Sequence, residues 1–210
     1  VKLRNAFLLP FLDWHPHKKY DERVAAQISS RTHSLAFATE TSPAGIEFVG
    51  DKAYLYLFLQ RQKVNQFDAY LGLVPVSEKT GKTMITGEVN LHLQNIFAIG
   101  ETFDLQWKAP ARYSQYLFLQ ADFPYLFRLP LGVKGTFLLD KKDTNYLNVN
   151  YLLALKYSFN GTNYLQVYFD QLNSRVLSSS LNHQLPQDSL LGNYRQSMYG
   201  IELVYRKLDN

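Results

Sequence analysis

No cysteine occurs in the 210-residue chain, which excludes a disulfide scaffold, thiolate zinc or iron–sulfur ligation, and a cysteine nucleophile. Charge is scarce too: Asp, Glu, Lys and Arg make up 19% of residues, below the usual quarter. No apolar run approaches the roughly 20 residues of a transmembrane helix. The longest, Ala6 to Leu12, is interrupted by Pro10. No charged-then-apolar leader precedes Val1, so a secretory signal is expected to be removed or to lie upstream. Phe, Tyr and Trp fill the gap left by charge at 15% of residues, a content incompatible with disorder over most of the length. The formal charge of +4 and a pI near 9.1 come from scattered cations, with only pairs such as Lys18-Lys19 and Lys141-Lys142 together. A nucleic-acid groove needs a denser stripe, so no nucleic-acid partner is expected.

The pattern changes near Asn65. Before it, Tyr20, Val24, Ile28, Arg31 and Leu35 recur at near-helical spacing after Asp21, predicting one amphipathic helix over 20–35. Ile46 to Val49 and Ala53 to Gln62 are β-rich, and Gly50-Asp51 between them predicts a hairpin. After Asn65, apolar and polar residues alternate with period two over seven or eight segments. Phe67 to Val74 is the first of them. Val89, Leu91 and Leu93 then interleave with Glu88, Asn90 and His92, and Phe103, Leu105 and Trp107 with Asp104 and Gln106. The rule continues through Leu117 to Phe123, Val133 to Leu139, Leu147 to Leu155, Leu165 to Phe169 and Tyr199 to Tyr205. Ser77 to Lys82, Lys108 to Ser114, Asp140 to Asn145, Asn160 to Asn163 and about Ser174 to Gln196 are expected to be solvated connections.

Segments of this length match a tilted bilayer-crossing strand better than the five or six residues usual in globular sheets. Aromatics such as Phe97, Phe103, Trp107, Tyr113, Phe123, Tyr125, Tyr146, Tyr157 and Phe159 crowd the strand ends, the distribution of an interfacial girdle. A closed barrel satisfies every backbone donor and acceptor in hydrocarbon. These features predict a mainly β chain: an antiparallel up-and-down transmembrane β-barrel of about eight visible strands, preceded by a small α+β segment. On this reading Val89, Leu105 and Val167 face lipid, and Glu88 and Asp104 face a wet lumen.

Ile85-Thr86-Gly87-Glu88-Val89-Asn90-Leu91-His92-Leu93-Gln94-Asn95-Ile96-Phe97-Ala98-Ile99-Gly100-Glu101 resembles the strand, turn and Gly-Glu restart near the barrel beginning of BamA/TamA-type assembly factors of Gram-negative outer membranes. Phe123-Pro124-Tyr125-Leu126 is similar to a later aromatic-proline turn of that family, and Val64 to Gly72 to the passage from its last POTRA (polypeptide-transport-associated) domain into the first barrel strand. The resemblance covers roughly residues 18 to 206. Ala69 stands where the family pattern has Gly, the POTRA part lacks a first strand, and the chain closes on Lys207-Leu208-Asp209-Asn210 without a terminal aromatic signal. Family barrels carry more strands than are visible here, so the chain is expected to be the N-terminal part of one.

The resemblance implies a partial periplasmic POTRA-like segment over 1–63 and a barrel part over 64–210. It places 75–83, 109–114, 140–145 and 174–196 outside the cell, and 95–100, 123–130 and 158–163 on the periplasmic side. It implies no enzyme and no cofactor, but insertion or translocation of other outer-membrane proteins by strand templating at a lateral gate formed by Gln66, Phe67, Asp68, Ala69, Tyr70, Leu71, Gly72, Leu73 and Val74. A POTRA edge at Ala53, Tyr54, Leu55, Tyr56, Leu57 and Phe58 would receive extended client peptides. The implied partners are outer-membrane lipids, unfolded β-barrel clients and accessory lipoproteins or other subunits of a membrane complex. A passive porin or ligand-binding barrel, with Asn90, Gln106 and Asn148 setting selectivity, is the alternative, and a soluble lipid-binding sandwich a third reading.

Other chemistry is weakly supported. Asp13-Trp14-His15-Pro16-His17 offers two histidines two apart, but a solvated loop explains them without a metal. Ser178 to Ser180 with His183 and Asp188 lack the strand-turn-helix elbow of a serine nucleophile. Glu88, Asp104, Asp122, Asp140, Asp170 and Glu202 lie on polar strand faces, where a hydrated lumen predicts them without catalysis. Gly132, Gly135 and Gly161 have neither the spacing nor the following helix of a phosphate loop.

Overall fold

A computed structural model describes residues 2–16, 18–75, 83–142, 146–160, 163–177 and 193–205. Three helices come first: α1 (Asn5–Leu12), α2 (Glu22–Ala26) and α3 (Ile28–His33). α1 forms over the apolar run that contains Pro10, where no helix was predicted. Pro10 lies inside it and no side chain caps its start, so burial of Phe7, Phe11 and Leu12 holds it rather than propensity. The helix expected over 20–35 is two helices. The carboxylate of Asp21 caps α2 by accepting from the Arg23 N–H at 2.9 Å. Gln27 then adopts φ −90°, ψ −6°, at the margin of the right-handed helical region, and its side chain accepts from the Arg31 guanidinium at 2.7 Å.

The expected hairpin is β1 (Ala38–Val49) and β2 (Lys52–Arg61), turning at Gly50 with φ 63°. β1 starts eight residues earlier than the β-rich signal at Ile46. Register shifts between Glu40 and Gly45 surround Pro43, which has no N–H to give the ladder, and this irregular stretch hides the strand from its pattern.

Eight long strands follow: β3 (Gln66–Pro75), β4 (Thr83–Gln94), β5 (Thr102–Ala111), β6 (Ser114–Phe123), β7 (Leu131–Lys142), β8 (Tyr146–Asn160), β9 (Asn163–Val176) and β10 (Tyr194–Val204). They form one antiparallel sheet in sequential order from β3 to β10, the meander that short hairpin connections dictate. Strands run further into the connections than the alternation indicated. Only Arg112 and Tyr113 separate β5 from β6, β7 extends to Lys142, β9 to Val176, and β10 begins at Tyr194. The remainder of the connections expected at 77–82, 143–145 and 178–192 lies outside the described residues, as do His17, Gly161, the serine set at 178–188 and the chain's last residues.

Register keeps the two faces chemically distinct. Phe67, Leu91, Leu105, Leu119, Phe137 and Tyr151 form one cross-strand row, and Gln66, His92, Asp104, Gln120 and Thr136 form the adjacent row on the opposite face. The alternation is not strict: Gln171 and Asn173 occupy positions on the apolar side of β9, level with Tyr151 and Val149, and Phe118, Leu138, Leu152 and Leu172 lie on the polar side in the rows of Gln106 and Asp104.

The buried core lies off the sheet. Phe7, Phe11, Leu12, Ile28, Leu35, Phe37 and Ala38 cluster in the N-terminal unit, and Tyr125, from the β6–β7 turn, joins them. The Phe7 ring stacks on Phe11 at 5.2 Å and meets Tyr125 edge-on at 5.6 Å. It also covers Gly100 in the β4–β5 turn, where any Cβ would collide with the ring. The Arg4 N–H donates to the Ala98 carbonyl at 2.9 Å. The N-terminal unit therefore sits on the end of the sheet that carries the β4–β5 and β6–β7 turns.

Candidate functional site

Strand β3 is an edge of the eight-stranded sheet, and its outer side has no partner among the described residues. It holds all nine residues of the expected gate, Gln66 through Val74. In an antiparallel pair backbone groups point alternately toward and away from the neighbour, so about half of this strand's N–H and C=O groups project from the open edge. Natural edges are commonly blunted by bulges, lysines or proline. None interrupts β3 before Pro75: ten consecutive residues pair with β4 without a register shift. Phe67, Leu71 and Leu73 are 67–73% exposed on one face, and Tyr70 is exposed on the other.

Gly72 and Gly87 shape the β3–β4 pairing. Over Gly72, the Thr86 hydroxyl fills the vacant side-chain space and donates to the Gly72 carbonyl at 3.4 Å. Gly87 is buried opposite Leu71, where a Cβ would strike the Tyr70 carbonyl. A Gly87→Val substitution is therefore expected to pry β3 from β4 at a cost of about 1–3 kcal/mol. Accelerated amide exchange over residues 66–75, with β6 to β8 unchanged, is the measurement that checks it.

The opposite edge, β10, makes eleven consecutive pairs with β9 and presents Tyr199, Ile201 and Leu203 to the outside. No sequence signal distinguished β10 as an edge, because period two is the same in edge and central strands. The other expected site, Ala53 through Phe58, lies on β2, whose outer edge also has no partner among the described residues. Leu55 and Leu57 turn toward the helical core, whereas Tyr54, Tyr56 and Phe58 are exposed. The Tyr56 hydroxyl donates to Glu47 at 2.9 Å, and this bond raises its pKa above the ordinary tyrosine range.

Neither face of the sheet is covered by a second layer among the described residues; its strands pack almost entirely on their neighbours. On the apolar face Leu153, Leu155, Val167 and Ile201 are exposed, and Val89 and Leu105 are half-buried by neighbouring side chains. The polar face is cross-linked instead. Glu88 accepts from Tyr70 at 3.1 Å and Asn90 at 2.8 Å and pairs with Lys108 at 3.0 Å. Asp104 contacts His92 at 2.6 Å and accepts from Gln120 at 3.0 Å. Asp122 pairs with Lys156, Asp170 with Asn150, and Glu202 with Gln166. Each of these five carboxylates thus has its own neighbours, and no two of them form an acid–base pair. Among the described residues no three His, Cys, Asp or Glu side chains gather as metal ligands. His15 is exposed beside the Asp13 carbonyl at 3.1 Å.

The turn end was read for its aromatics and for a resemblance in its Gly-Glu and aromatic-proline turns, and contains more. Glu101 is completely buried, and its carboxylate accepts from the Phe97 N–H at 2.6 Å and the Ile99 N–H at 3.2 Å. Asn95 accepts from the Gly100 N–H at 3.0 Å. These bonds hold a turn in which Asn95, Ala98 and Gly100 all have positive φ. Tyr125 nearby is pushed up to about 12 by burial, against a smaller opposing effect of its hydrogen bond with Ser158. Arg31 is buried and donates to the Leu12 carbonyl; desolvation lowers its pKa, opposed by the negative charge of Asp13.

No family model matches the sequence, and no curated protein matches it. Among solved structures the chain is similar to the crystal structure of BamA from Haemophilus ducreyi lacking POTRA domains 1–3. The TM-score is 0.53 at 8% sequence identity, and the match covers 96% of this chain and 40% of that one. The chain thus spans about two fifths of the length of that structure and shares a BamA-like barrel fold, here as an open sheet.

Proposed function

We propose that this chain is part of an outer-membrane β-barrel that inserts or translocates other outer-membrane proteins, with strand templating at an open sheet edge as its mechanism. The observation that carries the reading is a sheet of long strands with its apolar face uncovered and the outer side of its edge strand β3 unblunted and without a partner, among the described residues. In water such a surface is an aggregation hazard; in a bilayer the apolar face is solvated by lipid and only the edges remain to be completed. Strands of 10 to 15 residues meet or exceed the roughly 9–11 needed to cross. A BamA-like fold fits this location, and the cross-linked polar face fits a lumen.

The work is done by the backbone. Unpaired groups of Gln66 to Val74 hydrogen-bond an incoming client strand, and membrane-facing Phe67, Leu71 and Leu73 continue the apolar surface onto it. No bond is made or broken covalently, so the reading is non-enzymatic. Residues 1–63 form a periplasmic POTRA-like segment; the turns on which it sits then face the periplasm. Its edge at Ala53 to Phe58 receives extended client peptides. Lipids of a Gram-negative outer membrane, unfolded barrel proteins and accessory lipoproteins or other complex subunits are the partners this mechanism requires.

The absence of native cysteine makes the test direct. Leu71→Cys, at an exposed position, is expected to form disulfides with a cysteine-bearing edge strand of a barrel client during its folding. Leu119→Cys, on β6 between two paired strands, is expected to form none. Equal capture by both positions, or none at any position from 66 to 74 of the folded protein, overturns the reading.

A further inference from the structure

The two described turns at the N-terminal end of the sheet share an unusual surface. In the β6–β7 turn, consecutive Phe127 and Arg128 hold positive φ of 53° and 66°, a region bulky side chains avoid. Phe127 is 89% exposed, the largest value of any large apolar residue described, and Leu129 beside it is exposed as well. Fraying does not account for this. The Leu126 N–H donates to Leu131 at 2.7 Å, the Leu129 N–H to Leu126 at 2.8 Å, and the Ser158 N–H anchors the turn through Pro130 at 2.7 Å. A rigid turn therefore presents a phenyl ring to its surroundings.

The β4–β5 turn does the same with Ile96 and Phe97, both about half exposed. Phe97 packs edge-on against Phe103, which meets Phe123, so the tip is continuous with the sheet's apolar face. Each tip carries an exposed guanidinium: Arg128 within one, and Arg4 pinned by its N–H to Ala98 of the other. Neither has a carboxylate within 4 Å among the described residues, and the one acid in these turns, Glu101, is buried and spent on backbone N–H groups.

We propose that these turn tips form an anionic-phospholipid contact site, in which Phe127 and Leu129, with Ile96 and Phe97, enter the acyl region while Arg128 and Arg4 bind headgroup phosphates. Apolar side chains with an unpaired cation immediately beside them match the boundary where tails meet phosphate, and bidentate guanidinium recognition suits the phosphate geometry. The site rests on the outer-membrane reading and adds to it a lipid preference at the turn end.

The test uses the full chain in phosphatidylcholine vesicles with and without phosphatidylglycerol, the lipids being brominated high on their acyl chains. Phe127→Trp is read as a difference against the parent, whose tryptophans are Trp14 and Trp107. The added tryptophan is expected to be quenched as strongly as Trp107, with more quenching when phosphatidylglycerol is present, and Arg128→Glu is expected to erase that increment. Quenching of Trp107 without quenching at position 127 overturns the contact site and leaves the barrel reading intact. Loss of quenching at both positions overturns both. Quenching at 127 indifferent to phosphatidylglycerol and to Arg128→Glu overturns the recognition of phosphate.

Discussion

A Phe7→Ala substitution is expected to release the N-terminal unit from the turn end of the sheet while the eight strands remain paired. Phe7 is buried among Phe11, Phe37 and Tyr125, with ring centroids 5.2 to 5.9 Å away, and it also roofs Gly100. Truncating such a phenylalanine costs about 3–5 kcal/mol through lost transfer energy and the cavity left behind. Little else ties the unit to the sheet: the packing of α1 on β8, the Arg4–Ala98 hydrogen bond, the burial of Tyr125, and the chain itself at Gln62 to Asn65. The hydrogen-bonded strand ladders include none of these contacts. In the variant, α1 should therefore exchange its amides rapidly and yield to limited proteolysis, whereas residues 131–142 in β7 keep their protection. Loss of protection throughout the sheet would show instead that the core and the sheet unfold as one unit.

How much of this was legible beforehand follows from the period of each signal. Eight strands could be read because one face of each is mostly apolar and the other mostly polar, and alternation records that difference residue by residue. Where the chemistry departs from the rule the reading stopped short, as at Gln171 and Asn173, which hid the second half of β9. Pro43 concealed the beginning of β1, and Gln27, whose side chain is as helix-compatible as its neighbours, gave no warning of the break between α2 and α3. α1 escaped because its stability comes from Phe37 and Tyr125, 30 and 118 residues distant from Phe7, contacts no local window contains. The residues of the candidate gate were named from resemblance. That they lie on an unpaired edge is a property of the sheet's topology, on which alternation within a strand is silent.

Glu101→Ala is expected to produce the second large loss, by melting the β4–β5 turn from within. The carboxylate is fully buried and accepts from two backbone N–H groups, at 2.6 Å and 3.2 Å, inside a turn that keeps Asn95 and Ala98 in the left-handed region. Removing it orphans both donors and takes away what compensates the backbone. At about 1–3 kcal/mol for each unsatisfied group the total is about 2–6 kcal/mol, tending to the lower end because Ile96 and Phe97 are exposed and water can reach the truncated site. Glu101→Gln should recover part of the loss, since one amide oxygen still accepts while the NH2 group confronts the other N–H. A drop in the thermal unfolding midpoint in detergent, ordered Ala below Gln below the parent, is the result that checks this. The same turn carries the Gly100 seat of Phe7 and the Ala98 carbonyl that receives Arg4. Losing the turn should accordingly loosen α1, so Phe7→Ala and Glu101→Ala together are expected to cost less than the sum of the two. Strict additivity would mean that the turn keeps its shape without its carboxylate and that the N-terminal unit is held independently of it.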